Sequence, residues 1–501
     1  MKIQQAMKQV RETASMLRYY ECVDSVMDWD YWNHLPAEAR TYAGRVSRFL
    51  QGRAQSELLQ PQTARLMDWC RDLDPSLLDD DYQRGAVRFL VKSYDDAAKI
   101  PSELKEELSD FSRASQAQWL ECRKASDWNA FKPNVQKMFS LKAKIAECID
   151  PARAPYDVLI GETDAGMDSA DVGRLFAQLK AGILDVLASR KSCEPVSGSL
   201  SAVQPPNEIR KKLTKIAAEA TGFDFSKACI CERQHPVCNV SGPRDVRLSL
   251  NFRLPLFGTV STLHECGHGM YGYSSNDCAI EWGLWGGVWG GLNESQARFN
   301  ENMIGKSREF WQYLYPIYCH EIKELQSVDP ELFYLWLTAV SPGVNRLSAD
   351  ELTYNLHIII RFELERDFFA GRLNINDFEE AWNSKYKEYL GVQPDNACEG
   401  ILQDVHWASG HVGYFQSYAL GDMYAAQIRS ALLTEVPDAF SALSQGDVSK
   451  IHHWLVQHIW QYGATYTPGE LIVKATGQPL RADCLIDYLK SKYGSPSAFR
   501  K

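Results

Sequence analysis

Apolar residues recur at intervals of three and four positions along most of the chain, for example at Leu104, Leu108 and Phe111. This spacing places them on one face of an α-helix, so most of the chain is predicted to be helical. The helices have recognisable limits, since Gly222 follows a helical stretch at 208–221. No low-complexity linker and no fixed-period repeat divides the sequence. We therefore predict a mainly α fold, a single large helical assembly over residues 1–501.

One short region breaks the helical pattern. Polar and apolar residues alternate strictly over 245–252, which is typical of a β-strand. The run Ala228–Cys231 is a candidate partner, and the residues at 235–236 and 241–243 between the two have the character of turns. We therefore predict a small β-sheet at about 227–253. The exposed edge of such a sheet can bind an extended peptide through main-chain hydrogen bonds, which points to a peptide substrate.

The charge of the chain limits its partners. The 501 residues carry a net charge of −10 at neutral pH, and no block is rich in lysine or arginine. Neutralising the phosphates of a nucleic acid requires a basic surface, so the charge argues against a general nucleic-acid-binding protein and leaves only a local basic pocket open. Apolar runs such as 356–360 are far shorter than the roughly 20 residues that cross a bilayer, so we expect no membrane insertion.

Thirteen cysteines are scattered through the chain, and its polar first twenty residues have no secretory signal. An odd number of scattered cysteines is typical of reduced thiols, so we expect a cytoplasmic protein whose mature chain begins near Met1. Cys229, Cys231 and Cys238 are close enough in sequence to bind a metal ion together. No matching second pair supports that alternative.

The clearest chemical motif is in the stretch 261–274, where His264 and His268 enclose Glu265. On a helix, residues four apart lie on one face, so both imidazoles can bind one metal ion. Glu265 is displaced around the axis, where it can remove a proton from a water on the metal as that water attacks a carbonyl carbon. The motif predicts a metal-dependent hydrolase, although the same pattern arises by chance in roughly one such chain in a hundred.

A catalytic zinc site requires a third protein ligand, and Glu281, Glu294 and Glu301 are the downstream carboxylates available. Glu294 follows a glycine-rich run at 283–291, which close helix packing explains better than phosphate binding because no Lys–Ser/Thr follows it. The alternative for Glu294 is a surface ion pair with Arg298, one helical turn away. Spacing alone leaves both roles open.

Several further motifs occur in order along the chain. They are Met27–Asp30, Pro155–Leu159, His235–Pro236, Asp245–Arg247, Glu294–Gln296, Arg346–Asp350, Thr353–His357 and Gly400–Trp407. With the histidine motif, they make nearly the whole chain resemble the Taq-type metallocarboxypeptidases, zinc exopeptidases of bacteria, archaea and some protozoa. The resemblance implies an almost all-α fold with a long central groove. It also implies a Zn²⁺ ion bound by His264, His268 and Glu294, with Glu265 as catalytic base.

The family removes single residues from free peptide C-termini with broad preference, so the resemblance also implies a site for a carboxylate. Arginine suits this task because its planar guanidinium presents two parallel donors. Arg346 is our first candidate and Arg247 our second, the alternatives being structural ion pairs with Asp350 and Asp245. His235 belongs to a family motif that lines the substrate groove and is a third candidate.

Related helical zinc peptidases stabilise the tetrahedral oxyanion with a histidine and a tyrosine, each donor contributing a few kcal/mol. By this resemblance we assign the role to His406 and Tyr414. Tyr418 is a close rival of Tyr414 in the same segment, and a structural core position is the alternative for His406.

Four residues depart from the family pattern: Asn293 where histidine is usual, Val237 where phenylalanine is usual, Ser249 where threonine is usual and Asn345 where isoleucine is usual. None of them removes a predicted zinc ligand or the base. Asn293 cannot carry a charge, so it affects the surroundings of the metal. Val237 and Asn345 belong to motifs that line the groove, so they affect substrate preference.

Two other functions stay open beside the carboxypeptidase: an endo-acting zinc oligopeptidase with the same chemistry but no carboxylate recognition, and a metal- and peptide-binding protein with little catalysis. The family resemblance implies a homodimer. Co²⁺ or Mn²⁺ are possible substitutes for zinc, since a His/His/Glu ligand set accepts several metals.

Overall fold

The computed structural model describes residues 2–190, 200, 203–233, 236–252 and 257–494. Within these residues, 22 α-helices and one three-stranded sheet make up the regular structure, which confirms the mainly α fold with a small sheet. None of the helices in this part of the chain combines the length and the apolar character needed to cross a bilayer.

The chain begins with nine helices that precede the sheet. They are α1 (Ile3–Asn33), α2 (Arg40–Leu58), α3 (Pro61–Arg71), α4 (Asp81–Lys99), α5 (Ser102–Ala125), α6 (Trp128–Ile149), α7 (Pro155–Thr163), α8 (Ser169–Ser189) and α9 (Asn207–Ala220). Several begin at a capping aspartate, since the side chains of Asp80, Asp127 and Asp168 accept hydrogen bonds from the first free backbone N–H groups of α4, α6 and α8.

The sheet consists of β1 (Ala228–Glu232), β2 (Val237–Gly242) and β3 (Asp245–Leu250), in the order β1-β3-β2. The predicted pairing is confirmed: β1 runs parallel to β3, with Ala228 opposite Val246. Our prediction was wrong in two respects. β3 ends at Leu250 instead of Phe252, because neither partner strand extends beyond that point. β2 lies in a segment that we expected to be a connection, and it pairs antiparallel with β3 despite its turn-type residues.

Thirteen helices follow the sheet: α10 (Phe257–Tyr273), α11 (Asp277–Glu281), α12 (Gly291–Arg298), α13 (Arg308–Glu321), α14 (Pro330–Leu337), α15 (Tyr354–Phe369), α16 (Phe378–Leu390), α17 (His406–Ser409), α18 (Gln416–Glu435), α19 (Ala439–Leu443), α20 (Ser449–His458), α21 (Pro468–Thr476) and α22 (Asp483–Tyr493). A π-helical turn, Phe299–Ile304, continues α12 directly. Such turns are uncommon and are frequent at functional sites.

Two helices are almost completely buried in the interior of the protein. Every residue of α15 from Tyr354 to Glu365 is buried, and α18 is buried from Ala419 to Ile428. A helix buried on all sides carries no amphipathic stripe, so the polar residues within it require another explanation. Arg361 and Glu365 in α15, and Asp422 in α18, are such residues. They lie on the helices around the candidate active site.

Candidate metal centre and active site

His264 and His268 lie one turn apart on α10, with their ring centroids 4.9 Å apart. Glu294 on α12 faces both, because its two carboxylate oxygens lie 3.8 Å from Nε2 of His264 and 3.7 Å from Nε2 of His268. Ligands about 2.0–2.2 Å from a tetrahedral zinc ion are separated by about 3.3–3.6 Å, so the three side chains fit such an ion after a small adjustment. Among the described residues, no other group of histidine, cysteine and carboxylate side chains converges in this way.

Glycine allows the three helices of this centre to approach closely. A Cβ on Gly267 of α10 would lie 2.5 Å from the backbone oxygen of Gln296 in α12, and a Cβ on Gly421 of α18 would lie 2.6 Å from Cγ of Glu294. Both distances are far below van der Waals contact. Any larger residue at either position would therefore push Glu294 away from the two histidines.

Asp164, fully buried behind α12, joins the starts of two helices. Its Oδ1 accepts a hydrogen bond of 2.7 Å from the backbone N–H of Gly291, the first residue of α12. Its Oδ2 accepts bonds of 2.7 Å from Ser417 Oγ and 3.0 Å from Gln416 Nε2, at the start of α18. A carboxylate at a helix N-terminus is favoured by the helix dipole. Asp164 therefore fixes α12, and with it Glu294, relative to α18.

Glu301, which sequence spacing offered as a possible third ligand, lies on the far side of His264 from Glu294. Its Oε2 lies 2.9 Å from Nδ1 of His264, so it holds that ring with Nε2 directed at the metal position. Although burial opposes ionisation, Lys306 and Arg298 hold the pKa of Glu301 well below its usual value, and it remains a carboxylate. The other candidate, Glu281, is exposed and pairs with Arg11.

Glu265 lies between the two histidines and is 9% exposed. Burial raises its pKa to about 7, the neighbouring carboxylates add to this, and His264 and a hydrogen bond from the backbone N–H of Cys238 in β2 oppose it. A general base works best when its pKa lies near the working pH, so this environment suits proton transfer near neutrality.

Asn293, one of the departures from the family pattern, lies next to the metal ligands. Burial lowers the pKa of His268 to about 4, and the neighbouring side chain of Asn293 opposes this only weakly. A neutral imidazole is the form that binds a metal. Asn293 therefore contacts the second histidine as an uncharged residue, where a histidine is usual.

His406, at the start of α17, lies against two tyrosines. Its Nε2 is 3.1 Å from the hydroxyl of Tyr418, and its ring centroid is 6.2 Å from that of Tyr414. Burial lowers the pKa of His406 to about 3, so the ring is neutral, and burial raises the pKa of Tyr414 far above its usual value. Both tyrosines lie near Glu294, whose charge adds to this rise. The structure thus brings both predicted tyrosines and His406 together near the metal ligands.

Arg346 is buried and donates three side-chain hydrogen bonds. Its Nε and Nη2 donate to Oδ1 of Asp404 at 3.0 and 2.8 Å, and its Nη1 donates to the hydroxyl of Tyr354 at 3.2 Å. Asp404 also accepts a bond of 2.7 Å from Arg361. The structural ion pair that we expected as the alternative role of Arg346 is formed with Asp404 and not with Asp350. Asp350 instead accepts a hydrogen bond from the backbone N–H of Thr353.

Arg247 on β3 is more accessible. It donates two hydrogen bonds to Asp245, at 3.1 and 2.9 Å, which is the predicted ion pair. It also lines a mainly apolar cavity of about 640 Å³ between the sheet and the first two helices, beside Trp29 and Ile230. The remaining candidate for substrate binding, His235, lies outside the described residues.

These features can be compared with known proteins. The model of the family described as carboxypeptidase Taq (M32) metallopeptidase matches residues 9–493. The chain belongs to this family. Carboxypeptidase 1 of Bacillus subtilis (strain 168) is 32% identical over 499 residues, covering 97% of this chain and 98% of the relative. Thermostable carboxypeptidase 1 of Pyrococcus furiosus is 30% identical over 474 residues, covering 94% of each chain.

Solved structures agree with this assignment. The crystal structure of the M32 carboxypeptidase from Deinococcus radiodurans R1 is similar with a TM-score of 0.92 and 30% identity, covering 99% of this chain and all of that one. Metallocarboxypeptidase 1 of Trypanosoma cruzi is similar with a TM-score of 0.90 and 26% identity, covering 98% and 100%. Membership of the M32 family makes this chain a metallocarboxypeptidase, a hydrolase of peptides that uses a metal ion.

Sequence reasoning gave no role to three buried charged residues around this site: Asp404, Arg361 and Glu365. Asp404 belongs to the Gly400–Trp407 motif, so the signal was present but its partners lie far away in sequence. Arg361 and Glu365 lie in the middle of α15, where nothing in the sequence distinguishes a buried charge from an exposed one. Only the complete burial of that helix reveals them.

Proposed function

We propose that this chain is a zinc-dependent carboxypeptidase that removes single residues from free peptide C-termini with broad preference. The observation that carries the proposal is the convergence of His264, His268 and Glu294 beside the buried Glu265. Zinc bound there supplies a Lewis acid and lowers the pKa of a coordinated water toward about 7. Two histidines and a carboxylate also accept Co²⁺ or Mn²⁺, which we propose as possible substitutes.

In the proposed mechanism, Glu265 removes a proton from the attacking water and later passes it to the leaving amine. Its carboxylate, buried between the two histidines, is placed for both transfers. His406 and Tyr414 donate hydrogen bonds to the carbonyl oxygen as it gains negative charge, and Tyr418 orients His406 through the bond at 3.1 Å. Each such donor contributes about 3–4 kcal/mol in comparable enzymes.

Recognition of the C-terminal carboxylate is assigned to Arg346 and Arg247, with His235 as a further substrate-binding residue. Arg346 lies beside Tyr418, the residue that orients His406, with its guanidinium 5.2 Å from the ring of Tyr418. Arg247 keeps one guanidinium nitrogen free of Asp245 and lines a cavity of about 640 Å³. Lysine at either position keeps the charge but loses the paired donors. The arginine that binds substrate is the one whose lysine variant raises KM for free-acid peptides most.

Mass spectrometry of a mixed peptide pool tests the function. The zinc-loaded protein should produce ladders of single C-terminal losses from free-acid peptides and leave C-terminally amidated copies intact. Glu265→Gln, which keeps the shape of the base, should stop the ladders without reducing the bound zinc. Cleavage of amidated peptides at internal bonds would instead identify an endo-acting oligopeptidase. Zinc and peptide binding without any hydrolysis would identify the binding protein.

We further propose that the protein acts as a cytoplasmic homodimer on peptides. The family resemblance is the support for the dimer, and sedimentation at micromolar concentration tests it. The twelve cysteines among the described residues are free thiols. A reducing compartment keeps them in that form.

A further inference from the structure

Glu365, in the middle of α15, is a buried carboxylate outside the machinery described so far. Its relative exposure is 0%, and among the described residues no cationic side chain pairs with it directly, Lys142 acting on it only from a longer distance. A buried carboxylate without a cation is costly unless hydrogen bonds satisfy both of its oxygens. Its hydrogen-bond partners therefore show what the residue does.

Three donors satisfy Glu365, and two of them bracket the proposed oxyanion donors. Oε1 accepts a bond of 2.7 Å from Nε1 of Trp407, the residue directly after His406. Oε2 accepts a bond of 2.9 Å from the backbone N–H of Gly413, the residue directly before Tyr414. The third donor, at 3.0 Å, is the hydroxyl of Tyr156 on α7. One carboxylate thus holds both ends of the segment 406–414.

This segment has little regular structure of its own. α17 is only four residues long, and Gly410 and Gly413 after it have φ angles of 85° and 69°, which side chains other than glycine rarely adopt. The Gly413 peptide is also held through its carbonyl oxygen, which accepts a 2.8 Å bond from Thr163 and a 2.7 Å bond from Gln416. Hydrogen bonds from side chains outside the segment, more than its own backbone structure, therefore fix the position of the Tyr414 backbone.

We propose that Glu365 is a positioning residue that sets the placement of His406 and Tyr414 relative to each other by binding the residue next to each. This rests on the proposed roles of His406 and Tyr414. Above its raised pKa of about 7 the carboxylate is ionised, which is the form that matches three donors, since a protonated oxygen would itself need an acceptor. Displacing catalytic groups by about 1 Å can cost on the order of 100-fold in rate, so an anchor at this position affects turnover.

The main variant is Glu365→Gln, which keeps the size of the side chain but turns an N–H₂ group toward one of the donors. The matched control is Glu363→Gln on the same helix. Glu363 is also a buried acceptor, bound to Lys180, Lys385 and Tyr389, and it has no hydrogen bond to the segment 406–414. We expect Glu365→Gln to lower kcat about 10- to 100-fold with KM within about threefold. Glu363→Gln should change kcat less than about threefold, because the segment is left in place.

Two further measurements separate positioning from loss of stability. Combined with Tyr414→Phe, the Glu365→Gln variant should lose much less than the product of the two single effects, because both act through the same segment. Amide hydrogen exchange of peptides covering 406–414 should be faster in Glu365→Gln than in Glu363→Gln. Equal kcat losses in the two glutamine variants, full additivity with Tyr414→Phe, or unchanged exchange would each overturn the proposal.

Hydrogen exchange also keeps this proposal separate from the proposed function. If the native protein cleaves no peptide, the carboxypeptidase proposal fails, and faster exchange of the segment in Glu365→Gln still supports the anchor. If Glu365→Gln does not fold, Trp407→Phe removes one of the two bracketing donors and leaves the carboxylate in place. That variant should show the same faster exchange and lower kcat, and native behaviour would overturn the proposal.

Discussion

The two halves of the active site are built in opposite ways. The proposed metal ligands lie on the helices α10 and α12 within a network of full charges, in which Arg298 and Lys306 neutralise Glu294 and Glu301. The proposed oxyanion donors lie on the segment 406–418, which includes a four-residue helix, and His406 and both tyrosines are held neutral by burial. The first half has to bind a metal cation, and the second has to present neutral hydrogen-bond donors to the oxyanion.

This difference shows what positions the functional side chains in each half. His264 and His268 are placed by the geometry of one helix, so a five-residue motif is enough to position them. His406 and Tyr414 are eight residues apart on irregular backbone, and contacts from other elements position them. Damage to the first half should therefore appear in metal affinity, and damage to the second half should appear in turnover with the metal still bound.

The largest effect is expected from Glu294→Ala. Losing the third ligand removes the metal and with it several kcal/mol of transition-state stabilisation, so kcat/KM should fall at least about 1,000-fold. Zinc content after dialysis against a weak chelator, measured by mass spectrometry, should fall in parallel. Glu281→Ala, which removes an exposed carboxylate paired with Arg11, should retain both zinc and activity.

Tyr414→Phe should come next. Removing one hydrogen-bond donor to the oxyanion is expected to lower kcat about 100- to 1,000-fold while zinc affinity stays unchanged. Tyr418→Phe should lower kcat about tenfold, since it only loosens His406 through the lost 3.1 Å bond. If the order of the two variants is reversed in steady-state kinetics, Tyr418 is the donor and Tyr414 is the supporting residue.

Glu301→Gln should weaken zinc binding about 10- to 100-fold, because the 2.9 Å bond that orients His264 loses its charge. Competition with a fluorescent zinc chelator measures the affinity directly. Glu351→Gln is the matched control: Glu351 is also a largely buried carboxylate, it is bound to Lys492, and it has no hydrogen bond to a proposed ligand. An equal loss of zinc affinity in both variants would contradict a specific role for Glu301.

The last expected effect concerns stability alone, and it is a pH dependence caused by Glu365. Burial raises its pKa to about 7 from an ordinary 4.5, so between these values the folded chain keeps a proton that the unfolded chain has released. The folded state therefore loses stability as the pH rises through this window, by up to about 3 kcal/mol. The Tm of Glu365→Gln relative to the native protein should rise between about pH 5 and pH 7.5, since glutamine does not titrate. A Tm difference independent of pH would contradict the raised pKa.

The sequence was sufficient to predict the structural features that depend on residues close together along the chain. The periodicity of apolar residues predicted the helices, and the alternation at 245–252 predicted a strand. β2 was not predicted, because it contains turn-type residues and forms a strand only by pairing with β3. Spacing alone offered Glu281, Glu294 and Glu301 as downstream carboxylates and left open whether Glu294 binds the metal. Distances decide between them, because Glu294 faces Nε2 of both histidines and Glu301 faces the far side of His264. Buried charges such as Arg361 depend on packing that no local pattern records.

Asp164 has a consequence for how the active site opens. Because one buried carboxylate binds Gly291 of α12 as well as Gln416 and Ser417 of α18, neither helix start can detach without breaking bonds to the other. Regions linked in this way exchange their amide hydrogens as one cooperative unit. The helix that carries Glu294 and the helix that follows Tyr414 should therefore open together, so the charged and the neutral half of the site are lost in a single event.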